Sequence, residues 1–223
     1  MTETSSAATK LWVSAFLIVI VISLLTAFAY TSSNDALKDS VRQGMKTTAA
    51  VMATQINASD LAGIKPGDET SPHYYAIVRQ LRTMRSLDDN IINVYILRVN
   101  PDQTATFLVD DLMIDDPAGS ARIGEVSTSP DTMEIFSALS VPTASKEPYT
   151  TKYGSFMSAY APIDDATDDS TGNTYAVLAI DMSASDYNES TSKGGLILVT
   201  GILSMLIALG TLFIYGTKSE KGD

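Results

Sequence analysis

The sequence predicts an α+β domain, an antiparallel sheet covered by helices, held between two apolar helices. Three observations lead there. Two uncharged apolar runs lie near the ends of the 223-residue chain. Between them, the first half carries apolar residues spaced three and four apart, the helical period. The second half carries short segments of alternating side chains separated by turn residues, the pattern of hairpins. Hairpin strands with helices grouped elsewhere give α+β rather than a parallel sheet.

The first apolar run, Leu11 to Tyr30, has neither charge nor proline. At about 1.5 Å per residue it is about 30 Å long, the thickness of a bilayer core. The second lies within residues 194 to 215 and is also uncharged. Trp12, Tyr30 and Tyr215 stand at the ends of the runs, where aromatic rings meet the headgroup layer. Both runs are therefore read as transmembrane helices. Ala27-Phe28-Ala29 also looks like a small-x-small signal-peptide site, but the run is longer and its start less basic than in such peptides. Lys10 flanks the first span and Lys218 and Lys221 the second, which places residues 1–10 and 216–223 in the cytoplasm. Residues 31–193 then form an extracytoplasmic domain in the cell membrane's two-pass protein. The small residues Thr200, Ser204 and Ala208, with Ser23 and Ala27, form stripes along which spans can approach closely.

Composition narrows the function. No cysteine is present, which excludes disulfides, thiolate metal sites and cysteine nucleophiles. The formal charge is -11, and because the two tails balance, the middle carries all of it. An acidic domain repels nucleic acid, so no nucleic-acid partner is expected. The single histidine, His73, offers no triad and no zinc spacing, and the chain has no glycine-rich phosphate loop. Neither an enzyme, nor a cofactor, nor a metal is expected. The run from Asp110 to Gly119 is aspartate-rich but lacks the glycine and glutamate of a calcium loop.

Within the domain, Leu37, Val41, Met45, Ala49, Met52 and Ile56 predict a long helix from Thr31 to about Ala62, capped by Asn34 or Asp35 and broken at Pro66-Gly67. Ser71 and Pro72 open a second helix to Leu87. Its Arg79, Arg82 and Arg85 share one side, as a solvated face or an anion grip. Asn93 to Val99 and Thr104 to Asp110 flank a proline-containing turn and read as a hairpin. A short helix is expected over Asp131 to Leu139. Three strands follow, at Glu147–Lys152, Ser155–Ile163 and Thr174–Met182, with an acidic hairpin loop from Asp164 to Asn173.

Pro148-Tyr149, Ala161-Pro162-Ile163, Gly172 and Ile180-Asp181-Met182 occur in an order that resembles the second half of a Cache domain. Cache domains are the PAS-like extracytoplasmic sensors of histidine kinases and chemoreceptors. The resemblance covers roughly residues 35 to 190 and fits one sensor module. It implies a PAS-like five-stranded antiparallel sheet with a long N-terminal helix, and a pocket between sheet and loops. In amine- and amino-acid-binding relatives, the aspartate ending the last strand and the tyrosine after proline contact the ligand. Asp181 and Tyr149 match those positions. Where relatives often carry a second aspartate this chain has Thr151, and their upstream Arg-x-Trp-Tyr cluster has no counterpart.

The candidate ligand-binding residues are Asp181, Tyr149, Thr151, Tyr160, Tyr95 and Asp110, since a carboxylate beside tyrosine hydroxyls accepts hydrogen bonds from an ammonium group. Tyr153 is a further tyrosine for such a pocket. Strand alternation puts Phe156, Ser158 and Tyr160 on one face and Met157, Ala159 and Ala161 on the other. The expected function is a membrane-anchored sensor that binds a small molecule and passes a conformational signal through its spans. With few residues after the second span, the signal would pass to a homodimer mate or a separate membrane partner. The alternative is an extracytoplasmic interaction or envelope module without a small ligand, its sheet face filled by side chains.

Overall fold

The computed structural model describes residues 2–164, 175–192 and 195–219. The chain divides into two units, Met1–Lys38 with Ser190–Asp223, and Asp39–Glu189. Most of the predicted loop from Asp164 to Asn173 and the end of the C-terminal tail fall outside the described residues.

In the first unit, helix α1 (Thr2–Ala53) begins near the N-terminus and runs unbroken through Ala27-Phe28-Ala29. Its segment from Trp12 onward is long and apolar enough to cross a membrane. Trp12, Phe16, Leu24 and Phe28 point outward, an arrangement suited to an apolar surrounding. Of helix α6 (Gly195–Ser219), the apolar part Ile197–Thr211 is shorter, so among the described residues one helix meets the length of a span, not two. The contact between these helices falls one residue from the predicted stripe. A Cβ on Gly201 would stand 2.3 Å from Thr26 Cγ2. Thr200 and Ser204 spend their hydroxyls on carbonyls one turn back, Ile197 O at 2.9 Å and Thr200 O at 2.8 Å.

In the second unit the end of α1 lies on the core. Met45, Ala49, Met52 and Ala53 are buried, and the alanines allow close approach. The helix stops at Ala53, earlier than the predicted Ala62, and no cap exists at Asn34 or Asp35 because the helix is continuous there. Asn57 then accepts from Ser59 N–H and starts a new turn, α2 (Ala58–Leu61). This local bond competes with the helical ladder and ends it before Pro66-Gly67. Helix α3 (Pro72–Arg85) has the predicted cap, Ser71 Oγ accepting from Tyr74 N–H at 3.1 Å. It buries Tyr74, Ile77, Val78, Leu81 and Met84.

The sheet contains β1 (Ile91–Val99), β2 (Ala105–Asp110), β3 (Thr143–Ala144), β4 (Tyr149–Thr151), β5 (Gly154–Pro162) and β6 (Ala176–Ser183). The order is β2-β1-β6-β5, all antiparallel. Both β3 and β4 pair with the far edge of β5, at Ala159–Tyr160 and Gly154–Phe156 respectively. The sheet is therefore five positions wide but six-stranded, against five strands expected. Two residues of β3 are too few to show an alternation in sequence. A short 3-10 turn at Asp111–Met113, helix α4 (Thr132–Ser137) and helix α5 (Ala184–Thr191) complete the unit.

Both faces of the sheet are covered. Val94, Ile96, Leu108, Met157, Ala159, Ala161, Leu178 and Ile180 belong to the main core shared with α1 and α3. Tyr95, Leu97, Phe107, Tyr160, Val177 and Ala179 form a smaller cluster on the opposite face. Burial on both sides explains why β6 reads as a continuous apolar run. The single carboxylate in that run, Asp181, falls on the side of the smaller cluster by the period of two.

Candidate ligand-binding site

A cavity of about 290 Å³ opens on the smaller-cluster side of the sheet. Its lining includes Asn93 and Tyr95 from β1, Phe107 and Asp110 from β2, Tyr149 and Thr151 from β4, and Asp181 from β6. Five of the six predicted residues therefore border one space. Tyr160 does not. It lies fully buried behind the wall, where its hydroxyl meets Tyr149 Oη at 3.2 Å.

Asp181 is buried, and Oδ1 takes two donors, Ser158 Oγ at 2.5 Å and Tyr95 Oη at 3.2 Å. Oδ2 has no hydrogen bond among the described residues. Burial pushes this carboxyl up to about 7, against the hydrogen bonds from Ser158 and Tyr95 that hold it down. The negative charges of Asp110 and Asp131 push in the same direction as burial. Asn93, which pairs with Asp181 across β1 and β6, has a buried Oδ1 without a donor. The floor of the cavity thus holds one buried acceptor without a donor, Asn93 Oδ1, beside the Asp181 carboxylate, and such a group is costly to bury.

Aromatic rings supply the walls. Tyr95 and Phe107 are 5.3 Å apart by ring centroids, Phe107 and Tyr153 6.2 Å, and Tyr149 and Phe156 6.4 Å. Ring faces attract cations. At the rim, Glu125 Oε1 receives Lys152 Nζ at 2.7 Å and a hydrogen bond from the Tyr153 hydroxyl. The one lysine of the lining is thereby neutralised within the protein.

Asp110 borders the cavity in a different role. Its Oδ1 accepts from Leu112 N–H at 3.0 Å and its Oδ2 from Ala121 N–H at 2.8 Å. Both oxygens hold the loop that covers the pocket, and burial raises the carboxyl to about 6. Asp111 anchors the same loop from beneath, accepting from Val94 N–H at 2.9 Å and pairing with Arg85. Arg82 and Arg85 both reach Asp115, at 2.7 and 2.8 Å. Arg82 and Arg85 of the arginine stripe and Asp111 and Asp115 of the aspartate run, each a candidate ion site by sequence, are thus mutual partners. Among the described residues no cluster suited to a metal occurs.

A chain of hydroxyls leads away from Asp181. Ser158 Oγ lies 2.7 Å from Tyr149 Oη, which lies 3.2 Å from Tyr160 Oη. Tyr160 donates to Asp131 Oδ2 at 3.1 Å, and Ser145 Oγ donates to the same oxygen. The Ser145 carbonyl in turn accepts from Arg42 Nε on α1 at 2.9 Å. Asp131 occupies the N-cap position of α4 but makes no capping bond, because its carboxylate serves this chain instead. The role of Ser158 has a partial signal in sequence, its alternation with Tyr160. Asn93, Phe107 and Asp131 carry none that sets them apart from ordinary strand or cap residues.

No protein-family model and no curated protein sequence matches the chain. Solved structures do. The sensor domain of the histidine kinase DctB of V. cholerae is similar at a TM-score of 0.50 and 9% identity, over 80% of this chain and 61% of that one. The ligand-binding domain of the Campylobacter jejuni chemoreceptor Tlp3, solved with L-valine, is similar at 0.37 and 16%, over 86% and 67%. The E. coli DcuS sensor domain is similar at 0.42 and 13%, over 71% and 97%. The chain spans less than two thirds of the DctB sensor domain. The DctB likeness, at a TM-score of 0.50, shows that the two chains share a fold.

Proposed function

We propose that this chain is a membrane-anchored sensor whose domain between the apolar helices binds a small cationic molecule, an amine above all, outside the cell membrane. The observation that carries this reading is the cavity lining, where Asp181 and Asn93, the latter with a buried Oδ1 that lacks a donor, border a space walled by aromatic rings. An ammonium group supplies donors to both and a charge for the rings. Tyr149, Thr151, Tyr95 and Asp110 shape the pocket, and Tyr160 supports Tyr149 from behind. A filled sheet face, the expectation for an interaction module, fits poorly with a cavity of about 290 Å³.

In this reading α1 and α6 are both spans, and their tight approach at Thr26 and Gly201 makes them a unit able to carry a shift. Ligand moves that equilibrium only by its differential affinity for the two states. The receiver is a second copy of the chain or a membrane partner. The test is thermal unfolding of the full chain in lipid nanodiscs against a panel of small amines, amino acids and carboxylates. At one hundred times its dissociation constant a ligand adds about 2.7 kcal/mol. Stabilisation by amines that Asp181→Ala abolishes is the expected result. No shift from any amine, or equal shifts in the variant, overturns the reading.

A further inference from the structure

The hydroxyl chain has an unusual hydrogen count. Between Asp181 and Asp131 stand three hydroxyls, those of Ser158, Tyr149 and Tyr160. They create four contacts: Asp181 with Ser158, Ser158 with Tyr149, Tyr149 with Tyr160, and Tyr160 with Asp131. Each hydroxyl owns one hydrogen. Three hydrogens serve four contacts when both carboxylates are ionised, so one contact has oxygens facing without a hydrogen. A single proton on either carboxylate closes the array. Neighbouring groups do not relieve the deficit: Tyr95 brings its own hydrogen to Asp181, and the single hydrogen of Ser145 is shared between Asp131 and the Ser158 carbonyl at 3.1 Å.

We propose that Asp181 and Asp131 form one proton-binding site, holding a single proton between them through the intervening hydroxyls. The surroundings favour this. Both carboxylates are buried, as are Ser158 and Tyr160 between them. Burial raises both carboxyls from their ordinary range. The charged and titratable groups that face the pair are few. Toward Asp181 they are Tyr95 on β1, Asp110 on β2, the tyrosines already named and, lining the same cavity, Asp116, Lys152 and Tyr153. Toward Asp131 they are Glu134 on α4 and Lys146 after β3, which are themselves paired at 3.4 Å. No cation forms an ion pair with Asp181 or Asp131 among the described residues, so a proton is the charge available to neutralise them.

The consequence for sensing rests on the amine reading above. A cation seated at Asp181 Oδ2 replaces the shared proton, and the proton leaves as ligand arrives. Asp181 then stays ionised, Ser158 and Tyr149 orient their hydrogens toward it, and Asp131 keeps the hydrogen of Tyr160. The change is felt at Ser145, whose carbonyl is held by Arg42 of α1. The ligand-free domain is accordingly a proton sensor in its own right.

The test needs no ligand. The full chain, labelled with carbon-13 at the aspartate carboxyls and held in lipid nanodiscs, is titrated by NMR from about pH 4 to about pH 9, a range spanning ordinary and raised aspartates. Asp181→Asn and Asp131→Asn assign the signals. The pair should titrate as a unit near neutrality, with both carbons responding to the same step. Tyr160→Phe is the decisive variant. It removes one hydroxyl and two contacts, so two hydrogens serve the two that remain at Asp181. The Asp181 midpoint should then fall by about one pH unit, although no charge has changed and the site is less polar. A midpoint that stays or rises in Tyr160→Phe overturns the proposal, because burial and charge alone predict that result. Separate titration of the two aspartates in the parent chain overturns it as well. Either failure leaves the amine panel untouched, so the proton site and the sensor reading stand or fall separately.

Discussion

Arg42 Nε donates to the carbonyl of Ser145 across 2.9 Å, joining α1 to the residue that follows β3. The two are 103 positions apart in sequence. Arg42 is half-buried, and its other tie is a long contact to Asp39 at 3.6 Å. A charged donor on a backbone acceptor contributes about 1.5–3 kcal/mol when well formed. Exposure reduces that here, so Arg42→Ala should lower stability by about 1–2 kcal/mol. Urea unfolding of the parent and the variant checks it.

The pH dependence of stability should run against the usual direction for carboxylates. Asp181 is raised to about 7 and Asp110 to about 6, in both cases chiefly by burial. A carboxyl raised in the folded state binds its proton more tightly there than when unfolded. Its stabilising contribution is complete below the unfolded value, about 3.9, and is lost as pH rises through the folded value. Stability should therefore fall between about pH 4 and pH 7 by about 1.4 kcal/mol per unit for each group fully within its window. Thermal unfolding across this range reads the slope. Asp181→Asn should flatten it while leaving the share due to Asp110.

Asp111 ties the loop above the pocket to β1 and α3. It is fully buried, accepts from Val94 N–H and pairs with Arg85. Asp111→Ala leaves that N–H without an acceptor and Arg85 with Asp115 alone. Breaking a buried pair from one side costs about 3–5 kcal/mol, and the partial exposure of Arg85 places this case at the lower end. Amide exchange should quicken in the strand at Val94 and in the loop after Asp110. A variant with unchanged exchange would mean that Asp110 holds the loop unaided.

Much of the second unit was legible because its signals are local. Ser71-Pro72 carries a cap and a first-turn proline together, and α3 starts there. Alternation placed Ser158 and Tyr160 opposite Met157 and Ala159, and the sheet keeps that division. What failed was long-range. Nothing in the aspartate run at 110–116 states that its partners are Arg82 and Arg85, some thirty positions earlier. Alternation gives Tyr160 the face of the pocket, but it does not show that Tyr160 lies outside the cavity lining with its hydroxyl on Tyr149. Helix α1 ends at Ala53, short of its periodic pattern, because Asn57 offers a side-chain bond that periodicity does not register. Asn93 has no marker in sequence, since its importance comes from lying opposite Asp181 in the register.

Gly154 is where the pocket wall depends on a residue without a side chain. It begins β5 at a φ of 141°, a conformation that L side chains rarely adopt. A Cβ there would lie 2.8 Å from the tip of the Phe156 ring. That ring borders the cavity, and the turn before Gly154 presents Thr151, Lys152 and Tyr153 to it. Gly154→Ala must therefore strain the backbone and also displace the ring. The expected loss is about 1–3 kcal/mol from the backbone, measured by thermal unfolding. Amine affinity should fall further than this loss alone would produce, because the displaced ring alters the wall. If the alanine chain unfolds at the parent temperature and binds amines equally, the turn relaxes freely and Phe156 has no part in the pocket.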